Sequence, residues 1–388
     1  MTNEEILNGF VSVFGQGGSI RGYMGPGRVN LIGEHIDYNG GHVFPCAITR
    51  GNYLVCRKRD DRKLRFYSAN FAKGGIIEST IDDLVFYKKA FWTNYPKGVM
   101  WAFAKNGLNM KCGLDIYFKG DIPGSGLSSS AAMEVAIAVM LRDMFDLEVT
   151  DTSIAIMTQF SENKFNGMNC GIMDQFSSIM GKKNHAIFLD CASLEYKYVP
   201  LELGDYSIVV TNSNKPHSLT ASHYNDRRKE CEMALADIKK IRNISNLCQL
   251  SPKEFADICS VIKNPIAKGR ARFAVYEEDR TKAAVEALEK NDILTFGDLL
   301  NQSGDGLRYE YEATCDEIDV LVDTARAQKG CIGSRETGGG WGGNTVSIVK
   351  TENLAEFKEN VGKIYSEKTG LKADFNILEA GDGGRRLF

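Results

Sequence analysis

One stretch constrains the fold of this chain more than any other: Gly120-Asp121-Ile122-Pro123-Gly124-Ser125-Gly126-Leu127-Ser128-Ser129-Ser130-Ala131-Ala132. Before it, Leu114-Asp115-Ile116-Tyr117-Phe118 is apolar at alternate positions, the period of a half-buried strand. After it, Met133 to Leu141 is so rich in apolar and small residues that it reads as a largely buried helix. Glycine lets backbone approach a ligand closely and takes positive φ without steric cost. A helix start leaves about four amide N–H groups unpaired at the positive end of its dipole. Strand, Gly/Ser turn and helix together make an anion cradle suited to phosphate. Capping alone is the simpler use of serine, but one serine caps a helix and three in a row exceed that need. The pattern G-x-x-x-x-G-K-[ST] is absent and no lysine follows the loop, so the cradle is not a P-loop.

Length, charge and cysteine content narrow the class. A chain of 388 residues exceeds one typical domain, and two are expected, residues 1–195 and 196–388. Its 47 basic and 50 acidic residues leave a net charge of −3, without the basic footprint of a nucleic-acid binder. The same balance gives no reason to expect a membrane surface as partner. The ten cysteines form no C-x-x-C pair, which argues against a zinc site or a disulfide scaffold and suits a reducing cytoplasm. No run approaches the ~18 apolar residues of a membrane span, and the acidic start Met-Thr-Asn-Glu-Glu is unlike a secretory signal. A soluble cytoplasmic protein is the expectation.

Outside the cradle, the segment from Gly25 to Val43 carries Pro26, five glycines and a dense polar set, and is expected to be an irregular, ligand-facing loop. Strands are expected over 47–60, 64–69, 186–190, 207–211 and 344–349. Helices are expected over 92–106 and 151–165 and through most of 220–330. Gly338-Gly339-Gly340-Trp341-Gly342-Gly343 matches G-x-G-x-x-G in form, but a strand-like run follows it where a dinucleotide site needs a helix. With Trp341 embedded, it reads as a loop packed on a ligand or on another loop.

Four clusters then need one explanation: Arg28 with Glu34, His35 and Asp37; Ser128 to Ser130; Glu162; and Asp174. Phosphoryl transfer uses a cradle, oxygen ligands for a divalent cation, a cation near the transferred group and a base for the acceptor hydroxyl. Two carboxylates and an imidazole within four residues suit a polyol, whose hydroxyls donate to one and accept from the other. Each cluster alone has a plainer reading: a self-satisfied polar turn for 34–37, an exposed helix residue for Glu162, helix-start stabilisation for Asp174.

Taken together, these residues resemble a known family. Gly27-Arg28-Val29-Asn30-Leu31-Ile32-Gly33-Glu34-His35-Ile36-Asp37-Tyr38-Asn39 is similar to the galactokinase signature. Pro123 to Ala132 and Thr337 to Thr345 resemble the second and third motifs of the wider family of galacto-, homoserine, mevalonate and phosphomevalonate kinases. The resemblance spans nearly the whole chain in the right order. It implies a two-domain α+β fold of the galactokinase/mevalonate kinase type, with the active site in the interdomain cleft. It also implies transfer of the γ-phosphoryl of ATP to O1 of α-D-galactose, with Mg²⁺ as cofactor, as a step of galactose catabolism in a cytoplasmic enzyme expected to be a monomer.

Position by position, the resemblance puts Asp174 on the catalytic base and Arg28 on the arginine that keeps it ionised. Ser130 and Glu162 fall on the Mg²⁺ positions, and Gly124, Ser125, Gly126, Leu127, Ser128, Ser129 and Ser130 on the nucleotide cradle. Ser68 and Trp92 match further nucleotide positions. Glu34, His35, Ile36, Asp37, Gly171 and Tyr224 match the sugar side. Departures include Ile36 for threonine, Trp341 for phenylalanine, Gly339 for alanine, Asn344 for cysteine and His223 for glutamate. Ile36 and Trp341 are choices seen in N-acetylgalactosamine kinases, so that activity stands as the alternative. A catalytically silent galactose sensor is the third reading, against which all the catalytic positions are present.

Overall fold

The structure is a computed structural model that describes residues 1–123, 126–215 and 220–388. In chain order the elements begin with α1 (Asn3–Phe14), β1 (Ile20–Asn30), β2 (His42–Val43), β3 (Pro45–Lys58), β4 (Lys63–Ser68) and β5 (Ile77–Thr80). There follow α2 (Asn94–Lys105), β6 (Leu114–Gly120), α3 (Ser129–Met144), α4 (Asp151–Ser161), α5 (Met173–Met180), β7 (His185–Asp190), β8 (Tyr196–Pro200) and β9 (Tyr206–Asn212). Then come the helices α6 (Thr220–Ile238), α7 (Pro252–Ile258), α8 (Pro265–Glu289), α9 (Ile293–Gly306) and α10 (Asp316–Arg326). The chain closes with β10 (Cys331–Thr337), β11 (Asn344–Lys350), α11 (Leu354–Thr369), β12 (Asp374–Leu378) and β13 (Arg385–Arg386).

These strands form three sheets, in the orders β13-β1-β3-β6-β4-β5, β10-β11-β9-β12 and β2-β7-β8. In the first, only β4 and β6 run parallel; the other pairs are antiparallel. Alternate residues of β6, Leu114, Ile116 and Phe118, enter the main core, as their period predicts. The apolar run after the cradle becomes α3, buried from Ala131 to Leu141 except at Met133. It packs across β1 and β3.

Residues 25–30 correct the loop expectation, since β1 continues to Asn30 with a register shift between Pro26 and Arg28. Glycine is there for closeness. A Cβ at Gly25 would lie 1.9 Å from the Ala132 carbonyl oxygen of α3. The strand therefore passes directly beneath the start of the cradle helix, and Arg28 follows three residues later. Irregular backbone begins only at Leu31.

α4 ends at Ser161, and the wider π turn Glu162–Asn166 carries the helix on as far as predicted. Such turns recur at functional sites. Elsewhere the charged 220–330 region is helical, as expected, and its apolar faces join the main core through Ala234, Phe273 and Tyr311.

Candidate active site

A cavity of about 340 Å³, within the usual range for small-molecule sites, collects three of the four predicted clusters; the fourth, Glu162, is buried outside its lining. Its lining includes Arg28, Glu34, His35, Asp37, Gly126, Ser128, Ser129, Ser130, Gly171, Asp174 and Tyr224, together with Gly338 to Gly340. Residues 146 apart in sequence meet at its floor. Arg28, 4% exposed at the bulge of β1, donates from Nε to Asp174 Oδ1 at 2.8 Å, and its Nη2 lies 2.8 Å from the same oxygen. Its Nη1 donates to the Gly126 carbonyl at 2.9 Å. Burial opposes the guanidinium's charge, but the carboxylates of Asp174 and Glu34 outweigh it and raise its pKa.

Asp174 stands in the first turn of α5, and its second oxygen, Oδ2, accepts from Ser128 Oγ at 2.5 Å. Ser128 sits at the N-cap position of α3 with φ 57°, yet its side chain caps nothing. The plainer use of that hydroxyl, capping, is thus replaced by a contact with the carboxylate. Ser129 and Ser130 also line the cavity, where the first amides of α3 are unpaired within the helix.

On the opposite wall, His35 takes φ 61° and shares its Nδ1 with the Tyr38 hydroxyl at 2.9 Å. That hydroxyl in turn meets the Tyr311 hydroxyl at 2.6 Å. The other ring nitrogen, Nε2, is buried without a partner. Burial, aided by Arg227 and Arg335, pushes the His35 pKa down to about 3, so the ring is neutral. Burial and the nearby Asp174 carboxylate push Asp37 up to about 7. Gly171 allows that carboxylate to sit where it does, because a Cβ there would lie 2.0 Å from Asp37 Oδ2. Tyr224 closes this side, its ring 5.3 Å from those of both His35 and Tyr38. Ile36 is fully buried and outside the lining; its carbonyl holds the turn by accepting from the Asn39 and Gly41 amides.

Models of known families match three stretches: the galactokinase galactose-binding signature over residues 8–58, the GHMP kinases N terminal domain over 94–182 and the GHMP kinases C terminal over 284–366. A galactokinase of Clostridium acetobutylicum is 50% identical over 366 residues, 94% of each chain. The chain belongs to the galactokinase family. A crystal structure of Lactococcus lactis galactokinase complexed with galactose superposes with TM-score 0.97 at 41% identity, covering 99% of each chain. Methanococcus jannaschii mevalonate kinase shares the fold, with TM-score 0.67 at 15% identity over 94% of this chain and 99% of that one. The two-domain small-molecule kinase fold is therefore the architecture here, and the chain is an enzyme of the kinase class.

The family implies ATP and a divalent cation, and the donor set can be tested against that. Glu162 Oε2 is buried with no hydrogen-bond partner. Burial pushes this carboxyl up to about 7, while hydrogen bonds from Glu134 and Ser130 act the other way. A buried, incompletely satisfied carboxylate beside a serine hydroxyl is the hard-oxygen pair a magnesium ion takes, since it draws only one or two protein ligands. Among the described residues no cluster of three or more His, Cys, Asp or Glu side chains offers a richer metal site. The residues present fit the ion.

Not every nucleotide candidate reaches this cavity. Leu127 points away into a core cluster with Val29 and Ile48, although its carbonyl accepts from the Arg28 amide. Trp92 is packed against the rings of Phe66 and Phe118, and Ser68 is buried at the end of β4; both lie outside the lining. Gly124 and Ser125 lie outside the described residues.

The third galactokinase motif packs on the cradle itself: a Cβ at Gly338 would lie 2.8 Å from the Gly126 carbonyl oxygen. Trp341 pins the motif, donating from its backbone amide to Ala313 O and from Nε1 to Glu312 O, with its ring edge-on to His35 and His223. Sequence reasoning missed Arg335 and Thr337, which reach Glu34 from β10. The one signal was their alternation on a strand running into the glycines.

Proposed function

We propose that this protein phosphorylates α-D-galactose at the anomeric O1 with ATP, giving galactose 1-phosphate and ADP. The observation that carries the reading is the Asp174 carboxylate, held by Arg28 and Ser128 at the floor of a cavity between the serine cradle and a wall of polyol-binding groups. In this reading Asp174 accepts the proton of the O1 hydroxyl as that oxygen bonds to the γ-phosphorus and the bond to the bridging oxygen of ADP breaks. Arg28 holds the carboxylate in place and faces the negative charge of the transferred group. Glu34, His35, Asp37, Gly171 and Tyr224 orient the sugar, which lowers the entropic part of the barrier.

Ser128 to Ser130 and the amides at the start of α3 take the phosphates, with Gly124 to Leu127 completing the cradle. Ser130 and Glu162 would hold Mg²⁺, which when bound neutralises phosphate charge. Ser68 and Trp92, both outside the cavity lining, remain further nucleotide positions in this assignment. The division near residue 195, between two halves that both contribute to the lining, goes with it, as does a monomer. Ten free thiols agree with a cytoplasmic setting, and among the described residues no helix is long and apolar enough to cross a membrane.

ADP release with ATP, Mg²⁺ and each sugar in turn tests the proposal. Turnover on D-galactose with kcat/KM at least tenfold above that on N-acetyl-D-galactosamine is expected. The reverse preference would move the assignment to the acetylated sugar, and binding of both substrates without ADP release would leave a sensor.

A further inference from the structure

Glu34 is buried, yet it lines the cavity, and its position is set from the far half of the chain. Three donors converge on its Oε1: Thr337 Oγ1 at 3.1 Å, the Gly338 amide at 2.9 Å and Arg335 Nη2 at 3.3 Å. Arg335 is fully buried, and it also donates to the carbonyls of Leu31 at 2.8 Å and Asn30 at 2.9 Å. Thr337 Oγ1 also lies 2.9 Å from the same Asn30 carbonyl, so its one hydrogen is shared between that oxygen and Oε1. Arg335 and Thr337 are two apart on β10, so both side chains leave the same face of the strand. A carboxylate offers about four acceptor positions over two oxygens. Crowding three donors onto Oε1 leaves Oε2 as the oxygen with acceptor capacity to spare.

We propose that Thr337 and Arg335 are positioning residues for sugar binding: they clamp one oxygen of Glu34 so that the other is presented to a sugar hydroxyl. The clamp rests on the galactokinase reading of the cavity. Gly338, the third donor, opens the glycine motif packed on the cradle, but its backbone amide survives substitution. Thr337 is thus the member of the clamp whose side chain can be removed with the least disturbance.

The experiment measures galactose and ATP dissociation constants separately by calorimetry, and kcat at saturating sugar, for the wild type, Thr337→Val and Thr337→Ser. Removing one hydrogen bond to a buried charged group is expected to weaken galactose binding by about tenfold in Thr337→Val. ATP binding stays within about twofold, and Thr337→Ser, which keeps the hydroxyl, restores galactose binding. Thr337→Ala, with less bulk at the same site, replaces the valine variant if that one does not fold. Unchanged galactose affinity on loss of the hydroxyl overturns the clamp. So does a parallel loss of galactose and ATP affinity that serine does not restore, since that is the mark of general disruption. Should the wild type bind N-acetylgalactosamine in place of galactose, the substrate reading falls, and the same variants test the clamp on that sugar.

Discussion

Asp174 gains its character from two neighbours that use different oxygens, Arg28 on Oδ1 and Ser128 on Oδ2. The role of base proposed for a carboxylate held in this way should be separable from substrate binding. Asp174→Asn keeps the shape and loses the proton acceptor, and a drop in kcat of about 10³-fold is expected for a positioned general base. ATP affinity, measured by calorimetry, should change by less than about twofold; full turnover in this variant would remove Asp174 from its role. Asp37 makes a different prediction. Its folded pKa of about 7 lies well above that of a free carboxyl, chiefly because it is buried. Between about pH 4 and 7 the folded protein keeps a proton that the unfolded chain has released, so stability falls as pH rises through that window. Asp37→Asn should flatten this fall in the sugar-free protein, read as Tm against pH. An identical slope in the variant would mean that another group titrates.

At the scale of elements, two loops and two helix starts make the site, and the glycines mark where backbone meets backbone. Gly338 has φ 104° and faces the Gly126 carbonyl. Gly338→Ala therefore strains the backbone, at a cost of about 1–3 kcal/mol, and pushes the third motif off the cradle. A fall in ATP affinity of about tenfold or more is expected by calorimetry, and galactose affinity should fall with it, because the Gly338 amide also holds Glu34. Unaltered nucleotide binding would count against the cradle assignment.

These elements differ in how far they could be read from sequence. The cradle was legible because strand, glycines, serines and helix are contiguous and each has a local reason to be there. The pairing of Arg28 with Asp174 was not legible from pattern, since 146 residues separate them and only the family resemblance joined them. Strand β1 was misread over 25–30 because glycine looks the same in sequence whether it frees a loop or admits a neighbouring helix. Arg335 and Thr337 escaped notice because their partner, Glu34, lies about 300 residues earlier, and no local pattern reports such a contact.

At the scale of the molecule, the last residues return to the first sheet and support the helix that carries Asp174. The Gly384 amide donates to Ser178 O and the Gly383 amide to Gly181 O, both at the end of α5, while Ser178 Oγ donates to Pro26 O beneath the bulge of β1. A Cβ at Gly383 would lie 2.1 Å from the Ile179 carbonyl oxygen, so the tail is seated directly on that helix end. Farther along, Leu387 donates to Gly22 O, and Phe388 packs in the cluster that holds α1 against the sheet. The tail thus ties α5, with Asp174, to β1, with Arg28. Removing residues 381–388 should lower Tm by about 5 °C or more, as expected for the loss of a few kcal/mol in a protein of this size. It should also lower kcat more than it raises the KM for either substrate, because the Arg28–Asp174 geometry loosens while the cradle and the sugar wall keep their own supports. Thermal unfolding and steady-state kinetics on the truncated chain measure both. A lower Tm with kcat intact would make the tail a prop for the sheet alone, and α5 would then owe its position to its packing against α4 and β1.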